Sequence, residues 1–258
     1  MTTAIGITVA ESPLVRLALA RADDALILGH RLSEWCGHAP MLEEDLSLAN
    51  IALDLIGQAR SLYTLAGTAT GHTEDQLAFL RDERQFSNLL LLEQPNGDFA
   101  RTIARLFLYS SYIDPYWRAL GATDTALSDI AAKAEKESSY HLRHSAEWLI
   151  RLGDGTAESH RRAQSALDRL FPYTAEMFDP LPGDLAIDAD AWAAGVDTIE
   201  HGDEGTAAVF KAMAANGPDY ISSDCALAGH HIAQGMAQQG SPATKLDRKS
   251  TRLNSSHR

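Results

Sequence analysis

The chain has 258 residues, 45% of them hydrophobic, which is material for a sizeable core without disulfide support. Its formal net charge of −13 repels a phosphate backbone, so an extended nucleic-acid surface is excluded and proteins or small molecules remain as partners. Two cysteines, Cys36 and Cys225, fit a reducing, cytoplasmic setting, and neither a signal peptide nor a membrane span is expected.

Nine prolines punctuate the chain and leave four long stretches between them, 14–39, 41–94, 96–114 and 116–171. The first helix is predicted from Ser12 to Trp35, with Ser12 as N-cap and Pro13 at the first helical position. After a turn at Gly37 and Pro40, a second helix runs from Met41 to Ala66 and ends at Gly67, with Gly71 just beyond. Leu42, Leu46, Ala49, Leu53 and Ile56 recur every three or four residues, and this is taken as the seam that packs in a bundle. Thr73 with Gln76 makes a capping box that opens one or two short connecting helices. The charged run Arg81, Asp82, Glu83 and Arg84 reads as a solvated face, and beside Leu89–Leu92 as a candidate rim for a contact between subunits. Asp98 caps a third helix that reaches Leu120, kinked or restarted at Pro115 with Asp114 as a cap. A fourth helix spans Asp124 to Leu152, and a fifth Ala157 to Phe178.

No segment alternates as a strand does, so the fold class is all-α: a ferritin-like four-helix bundle with additional C-terminal helices. Residues 1–240 are expected to form a single domain, with 186–240 weakly helical and 241–258 a disordered or non-native tail.

EKESSYHLRHSAEW, residues 135–148, raises the question of metal, because Glu137, His141 and His144 fall on neighbouring turns of one helix. A carboxylate-bridged di-iron site needs one acid from each of two helices and a Glu-x-x-His from each of the other two. In the first helical hairpin Asp24 and Asp54 lie level, as a first acid and the acid of a Glu-x-x-His would. Three residues after Asp54, however, stands Gly57, and three before His141 stands Ser138. The third helix offers Phe107 to Tyr109 at this height, with no acid until Asp114. A site shape is present and half its ligands are missing. The alternative for Asp24 and Asp54 is a satisfied polar network with neighbours such as Gln58 or Arg31, and for His141 a pair with Glu137. The stripe Asn50, Asp54, Gly57 and Ser61 also suits close helix packing. Cys36 and His38 with Cys225, His230 and His231 lack zinc-finger spacing, and no phosphate-cradling glycine loop is present.

Four strings in order, RLSEWCGHAP (31–40), DLSLANIALDLIGQAR (45–60), RDERQFSNLLLLEQPNGDFA (81–100) and ESSYHLRHSAEWLIRLGDGT (137–156), closely resemble the PaaC-type subunit of bacterial phenylacetyl-CoA 1,2-epoxidase. The resemblance covers residues 20–156 and implies a ferritin-like structural subunit of a ring-epoxidising multicomponent monooxygenase in aerobic phenylacetate degradation. It implies a degenerate metal site at Asp24, Asp54, Gly57, Ser138 and His141, with no catalytic residue and no cofactor in this chain. The implied partners are the catalytic subunit, which holds the di-iron centre and phenylacetyl-CoA, and the other subunits of the complex, with no nucleic acid and no membrane. O₂ and reducing equivalents from a flavin and iron–sulfur reductase would drive the epoxidation. The family closes with a Gly-x-His-Thr-Glu-type motif and a Leu-rich helix, and PDYISSDCALAGHHIAQGMAQQG has neither. Two readings compete: an independent iron-dependent oxidoreductase using Asp24, Asp54, His141 and either Glu137 or His144, and a stand-alone helical binder of an acyl-CoA thioester.

Overall fold

The computed structural model describes residues 7–9, 12–123 and 125–178. Seven α-helices follow one another there: α1 Pro13–Ser33, α2 Leu42–Thr70, α3 Glu74–Phe79, α4 Leu90–Glu93, α5 Phe99–Gly121, α6 Ser128–Gly153 and α7 Ala157–Leu170. Short 3-10 turns stand at Glu83–Gln85 and Phe171–Phe178. There is no strand among the described residues. The expected boundary at 240, the weak helices of 186–240, the tail 241–258, Asp124, Cys225, His230 and His231 lie outside the described residues.

The helix starts follow from local capping chemistry. Ser12 accepts the N–H of Val15, Thr73 and Gln76 cap each other reciprocally, and Asp98 accepts the N–H of Arg101, so donors left over in each first turn are satisfied. The ends differ from expectation in two places. α2 runs through Gly67 to Thr70 and stops at Gly71, whose φ of +76° an L side chain resists. Gly67 is small for another reason: a Cβ there would stand 2.3 Å from the carbonyl oxygen of His72. The fifth predicted helix breaks at Leu170, because Pro172 has no N–H for the next α-helical bond and the chain tightens into 3-10 turns.

The four long helices form two hairpins, α1 with α2 and α5 with α6, and α7 packs on α5 and α6. α5 is continuous through Pro115, so the helix does not restart there and Asp114 is not a cap. Tyr112, Tyr116 and Trp117 are buried on the turns around the proline and hold them in the core. At one end of the bundle a chain of edge-on rings, Trp35 on Phe99 and Phe99 on Trp148, ties α1, α5 and α6 together with centroid distances of 5.9 and 5.0 Å. The Trp35 indole N–H also donates to Thr102, at 3.0 Å.

The buried seam of α2 is Leu48, Ile51, Ala52, Leu55, Ala59, Leu62, Tyr63 and Ala66. This corrects the seam read from sequence, since Leu42, Leu46 and Leu53 face outward. Periodicity finds an apolar stripe on a helix without saying what covers it, and α2 carries two stripes.

Candidate functional site between the hairpins

α1 places two adjacent carboxylates in the interior. Asp24 accepts Arg21 Nη1 at 2.9 Å and the backbone N–H of Leu89, just before α4, at 2.7 Å. The Arg21 guanidinium lies over the rings of Tyr116 and Tyr112 on α5, 4.8 and 5.4 Å from their centroids. Burial pushes the Asp24 carboxyl up to about 7, against the pull of Arg21 and the Leu89 N–H. Tyr109, also buried, is raised well above the usual phenol range by burial and by the Asp24 charge.

Asp23 faces the other way. It accepts the Tyr63 hydroxyl at 2.6 Å, the Ser87 N–H at 2.8 Å and both terminal nitrogens of Arg81. Arg81 is therefore buried, not part of a solvated run, and Leu89, Leu91 and Leu92 beside it point into the core. Burial works against the Arg81 charge, yet the hydrogen bonds and charge of Asp23 hold its pKa above the ordinary value.

Across the gap between α2 and α6 the side chains meet in pairs. His141 Nε2 lies 3.1 Å from Asp54, Gln58 donates to Glu137 at 2.9 Å, and His144 Nε2 lies 3.1 Å from Glu44. The expected pair of His141 with Glu137 along one helix is not made; each reaches over to α2. Asp24 and Asp54 do not converge either. Asp24 is fully buried against α4, whereas the Asp54 side chain is 39% exposed at the edge of the hairpin contact. Neither Gln58 nor Arg31 serves them, because Gln58 binds Glu137, and Arg31 binds Glu34 and the carbonyl of Glu93. A Cβ on Gly57 would meet no atom within 4 Å, so that glycine does not mark close packing.

Asp114 is the residue that sequence reasoning set aside. Its carboxylate accepts Ser138 Oγ at 3.2 Å, Ser139 Oγ at 2.6 Å and Arg118 Nη2 at 3.1 Å. Asp114 is thus level with Ser138, and the expected register of α5 on α6, with Phe107 to Tyr109 at this height, is shifted by about five residues, or roughly 7 Å. α6 begins at Ser128, and the longer turn before it accounts for the shift. Arg21 was missed as well. The one signal for it was a cation three residues before Asp24, a spacing at which helical side chains meet.

A carboxylate-bridged iron pair needs carboxylates and imidazoles with free lone pairs aimed at one point. These residues do not fit one: Asp24 is held by Arg21 and Leu89, Asp54 by His141, and Asp114 by two serines and Arg118. Among the described residues no three of His, Cys, Asp and Glu come together as a group able to hold a metal ion. No helix there is long and apolar enough to cross a membrane. The contacts in the gap are of a kind that fixes helices in place.

Residues 2–239 match the family described as "Phenylacetic acid catabolic protein". The chain belongs to that family. It is similar to a PaaC-type subunit, that of the 1,2-phenylacetyl-CoA epoxidase of Escherichia coli (strain K12), with 50% identity over 188 residues, 72% of this chain and 76% of the relative. The all-helical architecture agrees with the ferritin-like fold expected of this phenylacetic acid catabolic family.

Proposed function

We propose that this chain is the non-catalytic structural subunit of a cytoplasmic phenylacetyl-CoA 1,2-epoxidase, holding the di-iron catalytic subunit in a heteromeric complex for phenylacetate degradation. The observation that carries the reading is the commitment of Asp24, Asp54 and Asp114 to separate protein partners, which leaves none of them to meet the others at a metal. Asp24, Asp54, Gly57, Ser138 and His141 are the positions of a degenerate site. Asp24 ties α1 to the segment before α4, Asp54 with His141 ties α2 to α6, and Ser138 ties α6 to Asp114 of α5, so the helices are held together without a metal. The likeness to a subunit of an epoxidase supplies the pathway. The iron group held by the partner supplies oxygen activation; this chain's residues supply a fixed surface against which the partner is shaped.

The test is iron content and association. Protein expressed alone with iron supplied, then dialysed, should retain essentially no iron and turn over no phenylacetyl-CoA, while binding the iron-bearing subunit in a pull-down. One or two irons per chain, lost in His141→Ala, would overturn the proposal.

A further inference from the structure

The outer face of α2 is apolar and, among the described residues, uncovered. Leu42 is 70% exposed, Leu46 58% and Leu53 66%, with Met41 at 47% beside them. Their spacing of four and seven residues, with the half-buried Ala49 between Leu46 and Leu53, is the 3.5-residue seam of a helix that packs lengthwise on another. Gly57 extends it as a hole, since nothing stands within 4 Å of where its Cβ would be. From Leu42 to Gly57 the stripe is about 22 Å long. Among the described residues it takes no part in the core, because the seam that packs there lies on the other side of the helix. Tyr140 of α6, stacked on His144, is a further exposed ring.

Charge decides the occupant. α2 carries Glu43, Glu44, Asp45 and Asp54 against a single cation, Arg60, which is already 3.4 Å from Glu74. Suppose a second copy packed here. Antiparallel pairing that seats Leu46 on Leu53 puts Glu43 of each copy on the same edge of the contact as Asp54 of the other, twice. Parallel pairing sets Glu43 on one edge of each copy across from Asp45 on the opposite edge of the other. Both set like charges together between chains of net charge −13. A helix with a matching apolar seam and Lys or Arg on its flanks has no such conflict.

We propose that the Leu42–Leu46–Leu53–Gly57 stripe is the docking face for a helix of the iron-bearing subunit, apolar along a 3.5-residue seam and basic at its edges. This rests on the functional reading above, and the two can fail separately. Leu46→Glu/Leu53→Glu is compared with wild type in thermal melting of the isolated chain, in sedimentation, and in titration against the iron-bearing subunit. The expected result is unchanged melting, a monomer in both cases, and affinity at least tenfold weaker in the variant, as for truncation of an interface centre. Wild type that does not bind the iron-bearing subunit overturns the functional reading and this inference with it. Wild type and variant that bind alike overturn the docking face alone. Wild type that dimerises while the variant does not assigns the face to a second copy, and a variant that melts lower assigns it to this chain's own residues; either outcome overturns the proposal.

Discussion

α2 meets its two neighbours by opposite means. Against α1 the backbones come close: a Cβ on Gly29 would stand 3.1 Å from Ile56 Cγ1 and 3.2 Å from the carbonyl oxygen of Ala52. Against α6 the gap is bridged by long side chains, Glu44 with His144, Asp54 with His141 and Gln58 with Glu137. Within a hairpin, small residues set the distance. Between hairpins, the gap is filled by side chains from facing walls. A bundle can thus retain its geometry while the groups lining its centre change from ligands to helix ties.

The largest effect should come from the buried network that joins α1 and α2 to the 81–87 segment. Asp23→Ala leaves the Arg81 guanidinium buried without its carboxylate, and should cost about 3–5 kcal/mol. Urea denaturation reads it, and a loss under about 1 kcal/mol would mean that Arg81 finds water instead. Next, Gly29→Ala forces Ile56 or the Ala52 backbone to move, for a loss of about 1–3 kcal/mol by overpacking. A neutral result would show that α1 and α2 can part without cost, and would erase the contrast between the two seams.

Acid groups test the interior in another way. Asp24 is pushed up to about 7 by burial, whereas an unfolded Asp titrates near 3.9. Between these values the folded chain keeps a proton that the unfolded chain has lost, so the contribution is full below pH of about 4 and falls as pH rises to about 7. The slope is at most about 1.4 kcal/mol per pH unit. Asp114, raised by burial, adds in the same direction. His144, lowered by burial, opposes it, because its stabilisation is lost as pH falls. The measurement is therefore the difference between wild type and Asp24→Asn in urea midpoints from pH 4 to 8. Parallel curves would mean that Asp24 is ionised throughout.

These features were unequally legible in the sequence. Ser12, Thr73 with Gln76, and Asp98 announced helix starts because capping is decided within four residues. The Asp24 environment was half legible: a polar network was expected, but its partners, Arg21 and the Leu89 N–H, depend on where the connection between α2 and α5 folds back. Asp114 was lost to a register error, since the length of the turn before α6 leaves no trace in helical periodicity. The outward stripe of α2 was read as core for the same kind of reason. A repeat of 3.5 residues says that something packs there, not whether it belongs to the same chain.

The smallest effect is the most discriminating for the stripe. Gly57 sits in mid-helix with no positive φ to require it and no atom within 4 Å of an added Cβ. Gly57→Ala should then stabilise the isolated chain by about 0.5–1 kcal/mol, because alanine loses less backbone freedom on entering a helix. The urea midpoint should rise with the slope unchanged. In the heteromer the same methyl group would fill the hole into which a partner side chain seats, so affinity for the iron-bearing subunit should fall while the chain itself grows more stable. A gain in stability with no change in affinity would place the partner elsewhere and leave Gly57 as a bare position on an open helix. A loss of stability would mean that a segment of this chain already occupies the hole, and the two faces of α2 would then be alike in being covered from within.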